Sequence, residues 1–511
     1  MSVILLSDGR NKRLAFNAVT SLLLQIAVII NGFIIPRLIL ESYGSEVNGL
    51  VNSVTQFLGV ISLLDLGVGA VVQTSLYKPL ADNDIAGISR IYVSAGKFFK
   101  RIALILIVYS AVLMIFYPLT VKGSFGHFYS ASLTAIIAVS SFAQYYFGVV
   151  NGLLLSADQK GYIQYSVQIV TVIINTVVCA VLMKCGFSVH IMKLAASLTF
   201  VVRPLFLYFY VGKHYKIDKT VTYTEEPIKQ KWNGMAQHFA AFVLSGTDSI
   251  VLTLFSTLEN VSVYSVYNTV ILGVKNLLMS LTNGFQSLTG EMIAKRETDK
   301  LYSFFAYTEW FFHTATTLIF GCTGVLLVSF VRVYTSGVDD ADYIQPLFAF
   351  LITAANAGHC LRLPYNILIL AAGHYKQTQS NYIIAMIMNI VISAATVKLW
   401  GLIGVAVGTL AAMVYQTVWM AWYDSKNIIR LPFGNFLKQC GADILTVIIS
   451  SIATYKIPLL SVSYMSWVLQ AAEVFIVWLM IALVINLVFY KENILNILEK
   501  AEIKLGNKNG Y

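Results

Sequence analysis

Long apolar blocks, each closed by charged or turn-forming residues, run through almost the whole chain. The block from Ile102 to Leu119 contains no charge at all. A run of that length exceeds an ordinary core helix and is long enough to cross the roughly 30 Å hydrocarbon core of a bilayer. Cutting the chain at charge and turn residues predicts about fourteen helices. They fall near 15–40, 47–75, 98–118, 129–156, 162–184, 188–211, 235–256, 260–290, 304–333, 343–372, 379–400, 402–423, 437–457 and 464–490.

Composition supports the same reading. Of 511 residues, 57% are hydrophobic and only 12% charged, and the mean hydropathy is +0.72. A soluble protein of this size would lack the charge to cover its surface. The sequence is therefore that of an all-α polytopic membrane protein. The formal net charge of +10 raises the question of nucleic acid. No soluble basic domain, aromatic RNA-binding box or zinc-ligand spacing accompanies it, and no nucleic-acid partner is expected.

Orientation accounts for the charge instead. Alternate connections collect 25 of the 35 basic residues on one side, including Arg10, Lys12, Arg13, Lys97, Lys100, Arg101, Lys213, Lys295 and Lys426, and the other side holds only Lys122, Lys184, Lys398 and Lys456. Basic residues mark the cytoplasmic face, so both termini are predicted in the cytoplasm. Met1 to Arg13 reads as a cytoplasmic N-terminus and not a cleaved signal. No connection is much longer than about twenty residues, which leaves no room for a soluble catalytic domain. The five cysteines stand singly, mostly in apolar runs, as small buried hydrophobes with no disulfide framework or metal site.

The chain also resembles itself at an offset near 215. Val47 to Val54 aligns with Val263 to Val270, Leu155-Ser156-Ala157 with Leu370-Ala371-Ala372, and Asn175 and Lys184 with Asn389 and Lys398. A unit of six spans repeats in the same orientation, predicting two parallel six-helix lobes with a substrate path between them. The expected organisation is an N-lobe at 1–212, a cytoplasmic linker at 213–232, a C-lobe at 233–424, and spans thirteen and fourteen with a cytoplasmic tail at 425–511.

Polar residues recur along the first two helices of each lobe. Asn48, Asn52, Thr55, Gln56, Gly59 and Ser62 share one side of span two, and Tyr264, Asn268, Lys275, Thr282 and Gln286 form a narrower stripe on span eight. Asn17, Ser21 and Gln25 mark span one, as Gln237, Ser245 and Asp248 mark span seven. Two readings fit: hydrogen bonds between packed helices, or the wall of a wet cavity. Arg37, Lys193, Arg203, Lys275, Arg332 and Arg362 lie within predicted spans, as do Asp65, Asp248, Glu309, Asp443 and Glu473. A basic residue at mid-membrane costs about 3 kcal/mol on insertion scales. Arg37, Lys193 and Arg332 are near span ends, where long side chains snorkel. Arg203, Lys275 and Arg362 are deeper. Each either pairs with a carboxylate, Asp248 with Lys275 being the obvious pair, or attracts an anion. At about 4 Å a charge pair is worth about 1 kcal/mol in water and about 4 kcal/mol at an effective dielectric near 20. Two or three such contacts suit a phosphate or pyrophosphate that is held and then released. Pro36, Pro204 and Pro364 beside these arginines allow bending.

No phosphate-binding GxxxxGK[ST] loop, HExxH or GxSxG motif is present. Asp339, Asp340 and Asp342 read as a solvated outer turn. Glu309 and His313, one turn apart in span nine, are proton carriers or a helix-surface hydrogen bond. Gly148/Gly152 and Gly404/Gly408 are GxxxG packing pairs.

Several motifs carry a resemblance. Tyr43 to Leu50, Asp65 to Ala70, Tyr77 to Ala81, Val261 to Asn268 and Ala371 to Thr378 resemble bacterial polysaccharide-repeat-unit flippases. These form the Wzx-like branch of the multidrug/oligosaccharidyl-lipid/polysaccharide exporter superfamily. The resemblance implies a transporter without enzymatic activity or cofactor, working by alternating access in the bacterial plasma membrane; coupling to a proton or sodium gradient is a separate expectation drawn from the carboxylates within the spans. Its implied substrate is an undecaprenyl-pyrophosphate-linked oligosaccharide for surface polysaccharide such as capsule, O-antigen or exopolysaccharide. Its implied partners are the pathway's polymerase and glycosyltransferases. The family supplies no residue set to transfer, so the expected site rests on the stripes and charges. Arg203, Lys275, Arg362 and Arg37 are expected to attract pyrophosphate, with Asn52, Gln56, Tyr264, Asn268 and Gln286 facing sugars and Asp65, Asp248 or Glu309 coupling an ion. A cation-coupled multidrug exporter and a lipid II flippase are the near alternatives. A polysaccharide polymerase would need a long outer loop, which is absent.

Overall fold

A computed structural model describes residues 8–65, 67–120, 125–223, 227–228, 235–429 and 432–494. Lys122, Lys229, Lys231, Arg430, Lys500, Lys504 and Lys508, on which part of the charge asymmetry rests, lie outside the described residues, as do the side chains of Arg10, Lys12, Gln237 and Ser245. The described residues are all-helical, with no strand among them. In chain order the helices are α1 (Asp8–Gly59), α2 (Val68–Ala81), α3 (Ile85–Thr120), α4 (His127–Ala143), α5 (Val149–Ala157), α6 (Gly161–Lys184), α7 (Val189–His214) and α8 (Met235–Phe255). They continue with α9 (Leu258–Ala294), α10 (Thr298–Tyr334), α11 (Pro346–Leu361), α12 (Leu363–Ala371), α13 (Tyr375–Trp400), α14 (Leu402–Asn427), α15 (Phe433–Thr454) and α16 (Tyr464–Phe489).

Fourteen long helical segments result, as the apolar blocks predict. α1 supplies two of them, because Gly44 breaks it with φ +84° and ψ 176°. A side chain at that φ would be strained, and glycine is not. Two predicted spans are interrupted. The span near 47–75 passes through a 3₁₀ turn at Val60–Leu64 and restarts as α2 behind Gly67, whose φ is +78°. The span near 343–372 divides into α11 and α12 at Arg362, with Pro364 in the first turn of α12. Proline offers no N–H to the preceding turn, so it suits a helix start. A π turn at Gln144–Gly148 joins α4 to α5.

Ten of the described helices are long and apolar enough to cross a membrane. Their outward faces carry large apolar side chains, among them Ile115, Val108, Leu22 and Phe209, each at least 65% exposed. In water such faces would drive aggregation; in hydrocarbon they are solvated. Their inward faces hold polar groups such as Asn151, Asn175, Asn389 and Gln416, all buried. Tyr92 Oη, for example, donates to Asn151 Oδ1 at 2.9 Å.

The chain divides into two compact units. One comprises Met1–Ser265 with Val338–Ala341, the other Val266–Gly337 with Asp342–Tyr511. In the first, α1 packs on α6, α3 on α4, and α7 on both α4 and α6, around buried Leu50, Leu76, Phe99, Leu133, Leu154 and Leu207. In the second, α13 and α14 form the tightest pair. A methyl group at Gly404 would meet the Thr396 carbonyl at 2.6 Å, and one at Gly408 would meet the Ser393 nitrogen at 2.8 Å. Backbones this close let Asn389 Nδ2 donate to Thr409 Oγ1 at 3.0 Å and Thr396 Oγ1 to the Gly404 carbonyl at 2.9 Å. These glycines are packing contacts.

Gly404→Ala should therefore destabilise the second unit by about 1–3 kcal/mol. Gly96→Ala, with nothing within 4 Å of the added methyl, should not. Thermal unfolding of the two purified variants in detergent checks this; equal midpoints would refute the close-packed helix pair.

Candidate functional site

In the first unit the Gly44 break exposes the start of a new helical segment. Ser45 N donates to Asp340 Oδ2 at 2.6 Å, and Ser45 Oγ donates to Asp340 Oδ1 at 2.5 Å. An acceptor at this position satisfies a free helix N–H and meets the positive end of the helix dipole. Asp340, expected in a solvated turn, is thus a helix cap.

A polar seam follows that cap along the second half of α1. Asn48 is buried, and its Nδ2 donates to Ser262 Oγ at 2.8 Å and to Ser265 Oγ at 3.3 Å on α9. Asn52 Nδ2 donates to the Asn48 carbonyl at 2.8 Å. Gly49 stands where any side chain would strike the Leu258 carbonyl. On α8, Thr253 Oγ1 donates to Ser53 Oγ at 2.7 Å. The Tyr264 hydroxyl donates to Asp248 Oδ2 at 3.3 Å, so the aspartate's hydrogen bond joins α8 to α9. Gln56 Oε1 lies 3.8 Å from the methyl position of Gly246. Asn48 and Tyr264 thus make interhelical hydrogen bonds, while Asn52, Thr55 and Ser62 bond carbonyls one turn back in the same segment.

The other first-unit candidates stand apart from the seam. Arg203 is half-buried on α7 beside Pro204, near Tyr165, and its Nε makes no hydrogen bond. Arg37 is half-buried in α1 next to Pro36. Asp65, at the end of the 3₁₀ turn, has one buried carboxylate oxygen without a donor.

The second unit contains a denser arrangement. Arg362, only 7% exposed, occupies the α11–α12 break. Its Nη1 donates to Gln416 Oε1 on α14, and Nη2 lies 3.0 Å from His359 Nδ1. The guanidinium is 5.9 Å from the Tyr382 ring centroid on α13, within cation–π range. Its Nε has no hydrogen-bond partner, and no carboxylate pairs with it among the described residues. Lys275, half-buried on α9, lies close enough to act electrostatically on His359 and Cys360. Of the two predicted cations, Arg362 contacts His359, and Lys275 is near enough to influence the same imidazole electrostatically. Asn268 and Gln286 are half-buried on the same α9.

Glu309 belongs to a separate chain of ionisable groups. Tyr365 Oη donates to Glu309 Oε1 at 2.7 Å. His313 Nε2 lies 3.0 Å from the same hydroxyl, and His313 Nδ1 lies 2.6 Å from Asp443 Oδ2 on α15. Glu309 and His313, one turn apart on α10, are therefore joined through Tyr365 and not directly. His313 is wholly buried. Beside this chain sits Asp424 of α14, 1% exposed, with neither carboxylate oxygen hydrogen-bonded.

Tyr365, Gln416, His359 and Asp424 escape the sequence reading. Asp424 precedes Lys426 at a span end and looks solvated. One signal does point to it: it continues the inward face Met413, Thr417, Met420, Ala421 at helical spacing.

No family model matches the sequence, and no curated protein matches it. Solved structures do. The lipid II flippase MurJ, in an inward closed conformation, superposes with a TM-score of 0.70 at 12% identity, over 94% of this chain and 99% of that one. An inward-facing multidrug-resistance MATE transporter of the MOP superfamily gives 0.62 at 16% identity, over 79% and 94%. A eukaryotic MATE transporter gives 0.58 at 12% identity, over 86% and 99%. The chain has the fold of this superfamily.

The buried guanidinium depends on its acceptor. Gln416→Leu should destabilise the second unit by about 1.5–3 kcal/mol, the worth of a hydrogen bond to a charged group. Gln416→Glu should restore stability by supplying a counter-charge. Unfolding midpoints at or above wild type in Q416L would show that the contact is dispensable.

Proposed function

We propose that this protein is a flippase that moves undecaprenyl-pyrophosphate-linked oligosaccharide repeat units across the bacterial plasma membrane, for assembly of cell-surface polysaccharide. It works by alternating access and breaks no covalent bond of its substrate. The observation that carries the reading is Arg362: a deeply buried guanidinium without a carboxylate partner among the described residues, with Lys275 near enough to influence the histidine it contacts. A structural arginine in a membrane interior normally acquires a counter-ion. One left without such an ion suits an anionic ligand that comes and goes, and its planar fork matches a phosphoryl group. The superfamily fold supports transport of a bulky or amphipathic substrate.

Lys275 and Arg362 bind the pyrophosphate, with Arg203 and Arg37 on its route. Asn52, Gln56, Tyr264, Asn268 and Gln286 offer hydrogen bonds to sugar hydroxyls. The 25 basic residues on one set of connections support a cytoplasmic position for both termini. Partners are the enzymes that build the lipid-linked oligosaccharide on that side and polymerise it on the other. The multidrug-exporter reading shares the fold, but an unneutralised buried cation disfavours it, because a cationic drug would be repelled.

Arg362→Met separates function from structure. Replacing a buried charge by an apolar side chain of similar volume is often neutral or stabilising. The variant should thus reach normal membrane abundance while surface polysaccharide falls at least about tenfold, a loss of about 1.4 kcal/mol or more. Lys275→Met should behave alike. Surface polysaccharide at wild-type levels in both, measured by quantitative immunoblotting of washed cells, would remove these cations from transport.

A further inference from the structure

The 3₁₀ turn that interrupts the second span borders a groove in the first unit. At three residues per turn, side chains three apart eclipse one another. Val60 thus stands over Leu63 and Ile61 over Leu64, and all four line the groove. Ile105 and Tyr109 of α3 and Phe239 of α8 complete its walls around a volume of about 410 Å³, an ordinary size for a ligand pocket. The Tyr109 hydroxyl, the one polar group on these side chains, is already bonded: it donates to the Phe57 carbonyl at 2.8 Å, just before the turn. Leu64, Ile105 and Phe239 are each at least 40% exposed, so the groove reaches the surface. Walls of this kind hold a hydrocarbon chain and not a polar solute.

Charge stands at one end of the groove. α3 carries no charge from Ile102 to Leu119, and Lys97, Lys100 and Arg101 precede that run, all exposed. Arg101 and Lys97 lie one and two turns before Ile105 and share the outer side of α3 with the exposed Leu104 and Val108. Helical side chains lean toward the N-terminus. Both cations therefore stand just beyond the groove, where hydrocarbon gives way to headgroups. Lys97 Nζ lies 5.0 Å from the Tyr223 ring centroid, and Lys100 Nζ lies 5.0 Å from that of Tyr146 in the π turn. A ring orients an ammonium group without neutralising it. No carboxylate pairs with any of the three cations among the described residues.

A chain gains little by leaving the bilayer for an apolar groove, because both surroundings are hydrocarbon. The groove can position a chain, but selection falls to the cations. They attract a phosphodiester and repel the amine of a zwitterionic headgroup. We propose that the groove and its cations form a binding site for one anionic phospholipid, with an acyl chain against the 3₁₀ turn and the phosphodiester on Arg101 and Lys97. The site shares no residue with the proposed transport path and does not rest on the flippase reading.

Native mass spectrometry of the full-length protein, released from vesicles of phosphatidylglycerol and phosphatidylcholine in equal amounts, reads the lipid retained. One phosphatidylglycerol per protein is expected, with phosphatidylcholine retained about tenfold less. The double variant Lys97→Gln, Arg101→Gln changes two exposed positions, so it should lose that preference and keep its unfolding midpoint. Ile105→Trp fills the groove and should also lower retention, whereas Ile115→Trp, on the exposed side further along α3, should not. Equal retention of the two lipids, or undiminished preference in the double variant, overturns the headgroup assignment. Wild-type retention in I105W overturns the groove. Sodium pyrophosphate should displace no more lipid than sodium chloride at equal ionic strength; greater displacement would mean that the cations take free phosphoryl groups. Preference for undecaprenyl phosphate over phosphatidylglycerol also overturns the proposal, because the groove then belongs to a polyprenyl chain.

Discussion

The cost of placing charge in hydrocarbon governs this protein at every level. Backbone polar groups are satisfied by making every described membrane segment helical. Apolar side chains then face outward, where lipid solvates them, and polar ones turn inward to find partners. Helix pairs meet through amides and hydroxyls, as in Asn48 with Ser262 and Asn389 with Thr409. This economy is broken at Asp65 and Arg203 in the first unit, and most deeply at Arg362 and Asp424. Both residues lie in the second unit, and α14 connects them: it supplies Gln416 to the guanidinium and carries Asp424 two turns further on.

That connection gives the two polar groups a mechanical relationship. Arg362 and Tyr365 are one turn apart at the start of the short α12, so the same helix holds a cation against α14 and a phenol against Glu309. A shift of α12 along α14 would alter both contacts together. Pro364, in the first turn of α12, suits the break at Arg362.

Much of the architecture is legible in the sequence, because apolar length and the placement of lysine and arginine are direct consequences of bilayer thickness and orientation. The fourteen segments follow from that alone. Interruptions at Gly67 and Arg362 are harder to read, since a single residue within an apolar run changes local backbone without changing mean hydropathy. Glu309, Lys275 and Arg362 stand out as charges in apolar surroundings. Tyr365 does not, because a tyrosine in a membrane helix is ordinary until its hydroxyl is seen between Glu309 and His313. Asp424 is concealed by its neighbours: a carboxylate two residues from a lysine at a helix end reads as solvated, and only the helical phase turns it inward. Asn48 and Asn52 illustrate the opposite case: in an expected cavity stripe, Asn48 bonds to a neighbouring helix and Asn52 bonds the Asn48 carbonyl of its own helix.

The proposed movement of a pyrophosphate-linked oligosaccharide lipid from one leaflet to the other can be measured in liposomes. The purified protein is reconstituted with fluorescently labelled undecaprenyl-pyrophosphate-linked oligosaccharide, and an impermeant quencher is added outside. The inner-leaflet label should become accessible in protein-containing vesicles but remain protected in protein-free ones, and a neutral lipid bearing the same sugar should stay protected in both. Inner-leaflet label that remains protected despite folded, correctly inserted protein would contradict it.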